Sequence, residues 1–314
     1  MTLNATSLSR SILDTIGNTP LIELRRLVPA GSARVLVKLE SANPTGSMKD
    51  RMARAMIEAA EADGRLAPGR EVIEFTGGST GTSLALVCAA KGYPLQIVTS
   101  DAFSLEKRNH MKALGAHLTL VPSDAGRITP DLFVSMLSLT QRLIAERGAY
   151  WTDQFNNPDQ ATGYHALADE VWAQTDRHVD AFVHVVGTSG SLTGTATRLR
   201  GHHRSVRVTA VEPSTSAVLA GGMPGAHRIE GTGTGRIPPH FDRTLVDDFE
   251  AVSTEDAEAM ARRLSREEAI FAGTSSGANV IAALRVAERL GAGKTVVTLI
   301  ADSGLKYLST ELYR

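Results

Sequence analysis

The chain has 314 residues, of which 42% are hydrophobic and 21% are charged, and its formal net charge at pH 7 is -1. This composition is typical of a globular protein and excludes an intrinsically disordered chain. The nearly balanced charge excludes a global basic field that would recruit nucleic acid or a membrane surface, and the single cysteine, Cys88, excludes an internal disulfide and a multi-thiolate metal site.

The amino-terminal segment, residues 1–21, lacks the basic stretch and apolar run of a signal peptide. No stretch of the chain approaches the roughly 20 apolar residues of a membrane span. The nine histidines do not have the spacing of metal ligands. We therefore expect a cytoplasmic protein with no metal site, no membrane association and no nucleic-acid partner.

Residues 41–56, SANPTGSMKDRMARAM, change from turn residues to a helical pattern. Ser47 is the predicted N-cap of this helix, and Asp50 is the predicted capping-box partner three residues later. Lys49 then lies in the first helical turn, where the helix dipole disfavours a cation. Either Lys49 points into water or its amine is required without charge, and the local sequence leaves both interpretations open.

Short β-branched runs alternate with longer helical patterns along the rest of the chain. ARVLVKLE, EVIEF and LQIVTS each precede a helical segment, and the same rhythm returns in the second half with DAFVHVVG and KTVVTLIAD. Such alternation predicts βαβ units with parallel strands. A polar stretch that begins near residue 150 interrupts the rhythm, so we predict an α/β protein with two doubly wound lobes, each with a central, mostly parallel sheet.

A Gly-rich turn follows the apolar strand that ends at Val186, and a helix is predicted to begin near Leu192. Backbone amides beside a helix N-terminus, together with hydroxyl donors, predict a phosphate-binding turn. The spacing differs from G-x-G-x-x-G and from a Walker A motif, although Glu212 keeps a nicotinamide-dependent oxidoreductase open as a minority interpretation. The turn comprises Gly187, Thr188, Ser189, Gly190 and Ser191.

Two more turns of this kind precede predicted helices. Residues 76–81, TGGSTG, follow a strand and would suit a small carboxylate, and residues 273–277 form the other turn. Together with Lys49 at a fourth helix start, these turns predict a cleft lined with amide donors.

Six motifs in a fixed order resemble the β-family (fold type II) of pyridoxal-phosphate enzymes and, within it, the cysteine synthases or O-acetylserine sulfhydrylases. The resemblance runs almost from end to end and implies a tryptophan synthase β-like fold. It implies a smaller mobile lobe at residues 45–150 and a larger lobe of residues 1–44 and 151–314. The motifs are GNTPL (17–21), NPTGSMKDR (43–51), TGGSTG (76–81), GTSGSLTG (187–194), GTSSGA (273–278) and DSGLKYLST (302–310).

The resemblance also implies roles for single residues. Lys49 would form the imine with the cofactor aldehyde, residues 187–191 would hold the cofactor phosphate, and Ser303 would bond the pyridine nitrogen. Ser79 stands where the family has an asparagine that bonds the cofactor 3′-oxygen, and Gly77 stands where the family has a substrate-binding serine. The groups implied to hold the substrate α-carboxylate are Thr76, Gly77, Thr80 and Gln154.

The implied activity is β-replacement on O-acetylserine or O-phosphoserine with sulfide, through an aminoacrylate, to give L-cysteine in a homodimeric enzyme. A β-eliminating lyase of the cysteine desulfhydrase or serine/threonine dehydratase type stays open, and so does a non-catalytic ligand-binding protein. Arg236 stands where cysteine synthases usually carry an aromatic residue. Its guanidinium could recognise an extra anionic group of a substrate or could face solvent.

Overall fold

The computed structural model describes residues 8–125 and 129–314, so the first seven residues of the amino-terminal segment lie outside the described residues. The strands are β1 (Leu21–Glu23), β2 (Arg34–Leu39), β3 (Val72–Phe75), β4 (Leu95–Ser100), β5 (His117–Val121), β6 (Tyr150–Trp151), β7 (Ala181–Val185), β8 (Arg207–Pro213), β9 (Asp248–Val252) and β10 (Thr295–Ile300). The helices are α1 (Lys49–Ala62), α2 (Ser79–Lys91), α3 (Leu105–Ala113), α4 (Pro130–Arg147), α5 (Asp159–Thr162), α6 (His165–Gln174), α7 (Gly190–His202), α8 (Thr254–Glu267) and α9 (Thr274–Leu290).

The strands form two sheets, which confirms the predicted α/β class. The six-stranded sheet has the order β1-β2-β10-β7-β8-β9, and the four-stranded sheet has the order β5-β4-β3-β6. Among the described residues, every pairing between these strands is parallel except that of the edge strand β1 with β2. Strands β3, β4, β7 and β10 are buried along their whole length, as expected of parallel strands covered by helices on both faces. The smaller sheet takes its strands from residues 72–151, while the lobe bounds stay a prediction.

Local sequence signals define several helix ends. The Ser253 hydroxyl accepts a hydrogen bond from the Asp256 amide at the start of α8, and two acidic residues complement the helix dipole there. Helix α2 ends at Gly92 in the left-handed conformation, with φ 78°. Cys88 in α2 is buried in the core, as its apolar surroundings predict.

The predicted capping box at the start of α1 is wrong. The cap falls one residue after Ser47, and Ser47 Oγ accepts only a hydrogen bond of 3.2 Å from the Lys49 amide. Asp50 does not turn back to Ser47, because its carboxylate accepts hydrogen bonds from the amide and hydroxyl of Thr45 and from Ser83 Oγ. Asp50 is buried between the preceding loop and α2, so it joins these two segments and does not cap its own helix.

Candidate active site

Lys49 is the first residue of α1, at the carboxyl end of β10. The loop before it pairs with the chain after β10, since Met48 N donates to Ala301 O at 2.8 Å and Ser303 N donates to Gly46 O at 2.9 Å. The Lys49 ammonium has no hydrogen-bond partner among the described residues. Burial lowers its pKa from 10.5 to about 8, and the opposing charge of Asp302 limits the fall. This environment favours the interpretation in which the amine is required without charge.

A buried ion-pair network holds the first turn of α1 in place. The Arg51 guanidinium contacts Glu40 at 2.7 Å and Glu170 at 2.8 Å, so it joins α1 to the end of β2 and to α6. Arg51 and Glu40 are almost wholly buried. Because Lys49 lies two residues before Arg51, this network fixes the position from which the lysine side chain extends. Arg51 is the last residue of the NPTGSMKDR motif, and its neighbours in the sequence do not reveal this role.

The turn between β7 and α7 has the features of an anion-binding turn. Ser189 has φ 71°, a conformation that non-glycine residues rarely adopt, and its buried hydroxyl has no hydrogen-bond partner in the structure. A Cβ atom on Gly187 would lie 2.2 Å from the carbonyl oxygen of Gly231, so only glycine fits there. Helix α7 begins at Gly190, two residues before the predicted start, because the turn is shorter than the sequence pattern indicates. Thr188 and Ser191 are buried beside it.

Ser303 lies beside the loop that carries Lys49. The Cβ position of Gly46, which has φ 72°, is 3.2 Å from Ser303 Cβ. Ser303 Oγ accepts a hydrogen bond of 3.3 Å from the Leu305 amide at the start of a 3₁₀ helix, so its hydroxyl hydrogen stays available as a donor. The structure therefore brings Ser303 and the start of α1 together at the carboxyl end of β10, and the role of Ser303 toward a cofactor stays a prediction.

The second predicted turn lies between β3 and α2. Thr80 Oγ1 donates to Gln154 Oε1 at 2.7 Å, so two residues 74 positions apart in the chain meet here. Thr76 Oγ1 accepts from the Gly78 amide at 3.1 Å, and Gln154 Nε2 donates to the carbonyl oxygen of Phe75 at 3.0 Å. The structure thus joins Thr80 to Gln154 by a direct hydrogen bond, and Thr76 and Gly77 lie in the same turn.

Phe103 gives a physical reason for glycine at position 77. A Cβ atom on Gly77 would lie 2.6 Å from Phe103 Cε1, closer than real contacts allow. The family serine could not stand here unless the phenyl ring moved. Ser79 lies two residues after Gly77 and is half-buried, and its hydroxyl lies 3.5 Å from Asp302 Oδ2.

Lys107 connects the two halves of the site. Its ammonium pairs with Glu230, the residue before Gly231, which lies against the β7–α7 turn. Its stem packs against Gly78, where a Cβ atom would lie 2.3 Å from Lys107 Cδ. The ammonium also lies 4.3 Å from the centre of the Tyr307 ring. Lys107 is thus a link between the β3–α2 turn and the neighbour of the β7–α7 turn, and local sequence does not reveal this link.

Glu74 and Asp302 are buried acids that the sequence analysis did not assign. The Glu74 carboxylate accepts hydrogen bonds from Thr152 Oγ1 at 2.6 Å and from the Gln154 amide at 2.9 Å, and burial raises its pKa to about 7. Asp302 Oδ2 accepts from Tyr307 Oη at 2.6 Å, while Oδ1 has no partner in the structure. The sequence feature that could have identified both residues is an acidic residue inside or directly after an apolar strand.

Two residues that kept alternatives open have ordinary contacts. Glu212 accepts hydrogen bonds of 2.8 Å from the amides of Leu219 and Ala220, so its carboxylate holds a neighbouring loop. Arg236 is exposed, and its guanidinium lies 5.1 Å from the centre of the Phe155 ring. Both line a small cavity beside Gly187 of the β7–α7 turn.

Comparison with known proteins assigns the class of this chain. The chain belongs to the family described as pyridoxal-phosphate dependent enzymes, whose model matches residues 12–302. Within that family it is similar to the cysteine synthase of Staphylococcus aureus (strain Mu50 / ATCC 700699), with 41% identity over 305 residues that cover 96% of each chain. The nicotinamide and non-catalytic interpretations are therefore replaced by a pyridoxal-phosphate enzyme.

Solved structures show the same likeness. A cysteine synthase from Entamoeba histolytica has a TM-score of 0.93 and 38% identity, and the match covers 100% of this chain and 93% of that one. An O-ureido-L-serine synthase has a TM-score of 0.90 and 39% identity, with coverage of 98% and 95%. A hydrogen sulfide-producing enzyme from Fusobacterium nucleatum has a TM-score of 0.90 and 36% identity, with coverage of 97% and 99%. One fold therefore serves several reactions of amino acids.

The residues of this chain fit the family cofactor. The unpartnered Ser189 hydroxyl and the bare Gly187 form a cradle for a phosphate group, and no basic side chain belongs to this turn. The low pKa of Lys49 suits an amine that must react with an aldehyde.

Among the described residues, no helix is both long and apolar enough to cross a membrane.

Proposed function

We propose that the chain is a cysteine synthase-like enzyme that replaces the β-substituent of an activated serine, O-acetylserine or O-phosphoserine, with sulfide. The single observation that carries the proposal is the neighbourhood of Lys49, where a half-buried amine with a pKa lowered to about 8 lies beside the end of β10. An amine with such a pKa can give up and take back a proton at working pH. The names of the relatives support cysteine as the product.

Each group of the site has a role in this proposal. Thr76, Thr80 and Gln154 bind the α-carboxylate of the substrate through their polar groups and orient the α-carbon toward Lys49. The Lys49 amine removes the α-proton and holds it on Nζ while the β-substituent leaves. When bound, pyridoxal phosphate supplies the electron sink that stabilises negative charge at the α-carbon. The groups proposed to hold it are Lys49, Ser79, Gly187, Thr188, Ser189, Gly190, Ser191 and Ser303.

Ser303 supports replacement chemistry. If the Ser303 hydroxyl held the pyridine nitrogen of the cofactor, this neutral group would not stabilise a positive charge there as a carboxylate would, and the cofactor would supply a weaker electron sink. A weaker sink limits competing reactions at the α-carbon and suits departure of a β-substituent. The neighbouring Asp302 is buried, and its Oδ2 accepts a hydrogen bond from Tyr307 Oη at 2.6 Å.

The test compares synthesis with breakdown. Purified protein loaded with cofactor is given sulfide together with O-acetylserine or O-phosphoserine, and cysteine is measured. In parallel it is given cysteine alone, and released sulfide and pyruvate are measured. We expect cysteine formation to be the faster reaction, and faster sulfide release would overturn the proposal in favour of a β-eliminating lyase.

Variants test the residue assignment. Lys49→Ala should abolish both reactions, whereas Lys112→Ala, an exposed residue of α3, should leave them unchanged. Borohydride reduction followed by peptide mapping should place the cofactor label on Lys49, and a label on another lysine would refute the assignment. We also propose a cytoplasmic homodimer with the lobes divided at residues 45 and 150. Sedimentation of the loaded enzyme tests the assembly.

A further inference from the structure

A buried histidine lies directly behind the phosphate turn. His184 is in β7, its ring is fully buried, and both ring nitrogens have partners. Nε2 lies 2.9 Å from Ser191 Oγ in the first turn of α7. Nδ1 lies 3.2 Å from Nδ2 of Asn279 in α9. A histidine in an apolar strand is thus tied to a residue of the phosphate turn on one side and to the helix behind the sheet on the other.

The contacts of Asn279 determine which ring nitrogen carries the proton. Its Oδ1 accepts a hydrogen bond of 2.8 Å from the Val185 amide, so its nitrogen is the end that faces His184. The same nitrogen donates to the carbonyl oxygen of Leu299 at 2.8 Å. Because an amide nitrogen only donates, His184 Nδ1 must accept, and a neutral ring then carries its hydrogen on Nε2.

The tautomer in turn determines the direction of the Ser191 hydroxyl. His184 Nε2–H donates to Ser191 Oγ, so the oxygen of this serine is already occupied as an acceptor. The structure gives the Ser191 hydroxyl no other partner among the described residues, and the residue is only 5% exposed. Its hydrogen is therefore left to donate to a ligand in the turn.

We propose that His184 is a positioning residue of the cofactor site, which orients the Ser191 hydroxyl as a donor to the cofactor phosphate by holding its own hydrogen on Nε2. This inference rests on the proposed assignment of residues 187–191 to the phosphate. It adds a residue outside the turn to the machinery that binds the cofactor.

The electrostatics agree with this arrangement. Burial and the positive charge of Lys49 lower the pKa of His184 to about 3, so the ring is neutral at working pH. A protonated ring would present a second N–H to the Asn279 amide, which has no acceptor to offer on that side. A neutral ring keeps one hydrogen-bond direction from Asn279 through His184 to Ser191.

The first experiment reads the tautomer in the wild-type enzyme. Two-bond ¹H–¹⁵N correlation spectra of the loaded, histidine-labelled protein distinguish the two neutral tautomers and the charged ring. We expect His184 in the Nε2–H form from about pH 6 to about pH 9. An Nδ1–H tautomer or a charged ring would overturn the inference. The measurement is made on the wild-type protein, and a variant is needed only to assign the His184 signal.

Two matched substitutions separate the two sides of the ring. His184→Gln keeps an N–H near the Nε2 position and should retain cofactor affinity within about threefold, because Ser191 still receives a donor. His184→Asn keeps a group near the Nδ1 position but offers no donor to Ser191. It should raise the dissociation constant for pyridoxal phosphate by about tenfold, which corresponds to the loss of one hydrogen bond to a charged group.

The combination with Ser191→Ala completes the test. Ser191→Ala should weaken cofactor binding about as much as His184→Asn, and the double variant should be no weaker than Ser191→Ala alone. The ³¹P shift of the bound phosphate should change in His184→Asn and not in His184→Gln. Equal affinities for the Asn and Gln variants, or unchanged affinity in Ser191→Ala, would overturn the inference. The proposed reaction would still stand if cysteine formation persisted.

Discussion

The proton affinity of Lys49 can be tested by changing its acidic neighbour, in the variant Asp302→Asn. Burial lowers the Lys49 pKa from 10.5 to about 8, and the Asp302 charge acts against this fall. The shift corresponds to about 3 kcal/mol of discrimination against the charged amine. Removal of the Asp302 charge should therefore lower the Lys49 pKa further, and the amine should become neutral at a lower pH than in the wild type.

Competitive acetylation of the cofactor-free protein measures this directly, because acetic anhydride reacts only with neutral amines. Peptides are quantified by mass spectrometry against a free lysine derivative in the same tube. Between about pH 8 and about pH 10, Lys49 reactivity should rise by no more than about twofold, whereas that of the free derivative should rise roughly 70-fold. In Asp302→Asn, the reactivity of Lys49 should reach its constant maximum at a lower pH than in the wild type. Lys49 reactivity that keeps rising steeply to about pH 10 would refute the reasoning.

The same shift has a consequence for stability. The native protein releases the Lys49 proton near pH 8, whereas the unfolded chain holds it until its ordinary pKa of 10.5. The unfolded state thus binds more protons across this interval, so the free energy of unfolding rises with pH there, by up to about 3 kcal/mol. Lys49→Met should remove this rise when the variant and the wild type are unfolded in urea at both ends of the interval.

Three other predictions concern the substrate half of the site. Gly77→Ser should lower the free energy of unfolding by about 1–3 kcal/mol, because the new side chain meets the Phe103 ring, and Phe103→Leu should restore it in urea unfolding. Lys107→Met should raise KM for the amino-acid substrate by about three- to tenfold in steady-state kinetics, because the ion pair with Glu230 is lost. Glu230→Gln should match it, and a doubled effect in the double variant would contradict a shared role. Glu74→Gln should lower the free energy of unfolding by about 1–3 kcal/mol, because a carboxylate that only accepts hydrogen bonds is replaced by an amide that must also donate. Urea unfolding measures this change, and an unchanged midpoint would contradict the prediction.

Local periodicity predicted the order of strands and helices, because strand and helix patterns depend on neighbouring residues. The capping box at Ser47 was wrong because Asp50 bonds to Thr45 and Ser83, and the latter lies 33 positions away in the chain. Glu74 and His184 also contact residues that are distant in the chain, since their partners lie up to 80 and 95 positions away. Local sequence carries no signal for such pairings, so it could flag these residues as unusual but could not say what they contact.

The choice of neutral groups in the phosphate turn has a consequence for Lys49. The lysine charge reaches His184, and His184 contacts Ser191 of the turn, so the two sites are electrostatically close. A lysine or arginine in the turn would bind phosphate strongly but would lower the pKa of Lys49 further, and a weaker base would remove the substrate α-proton less effectively. Hydroxyls and amides bind the phosphate without this penalty. With the roles proposed for Lys49 and for residues 187–191, the absence of basic side chains from these positions keeps the Lys49 pKa from falling further.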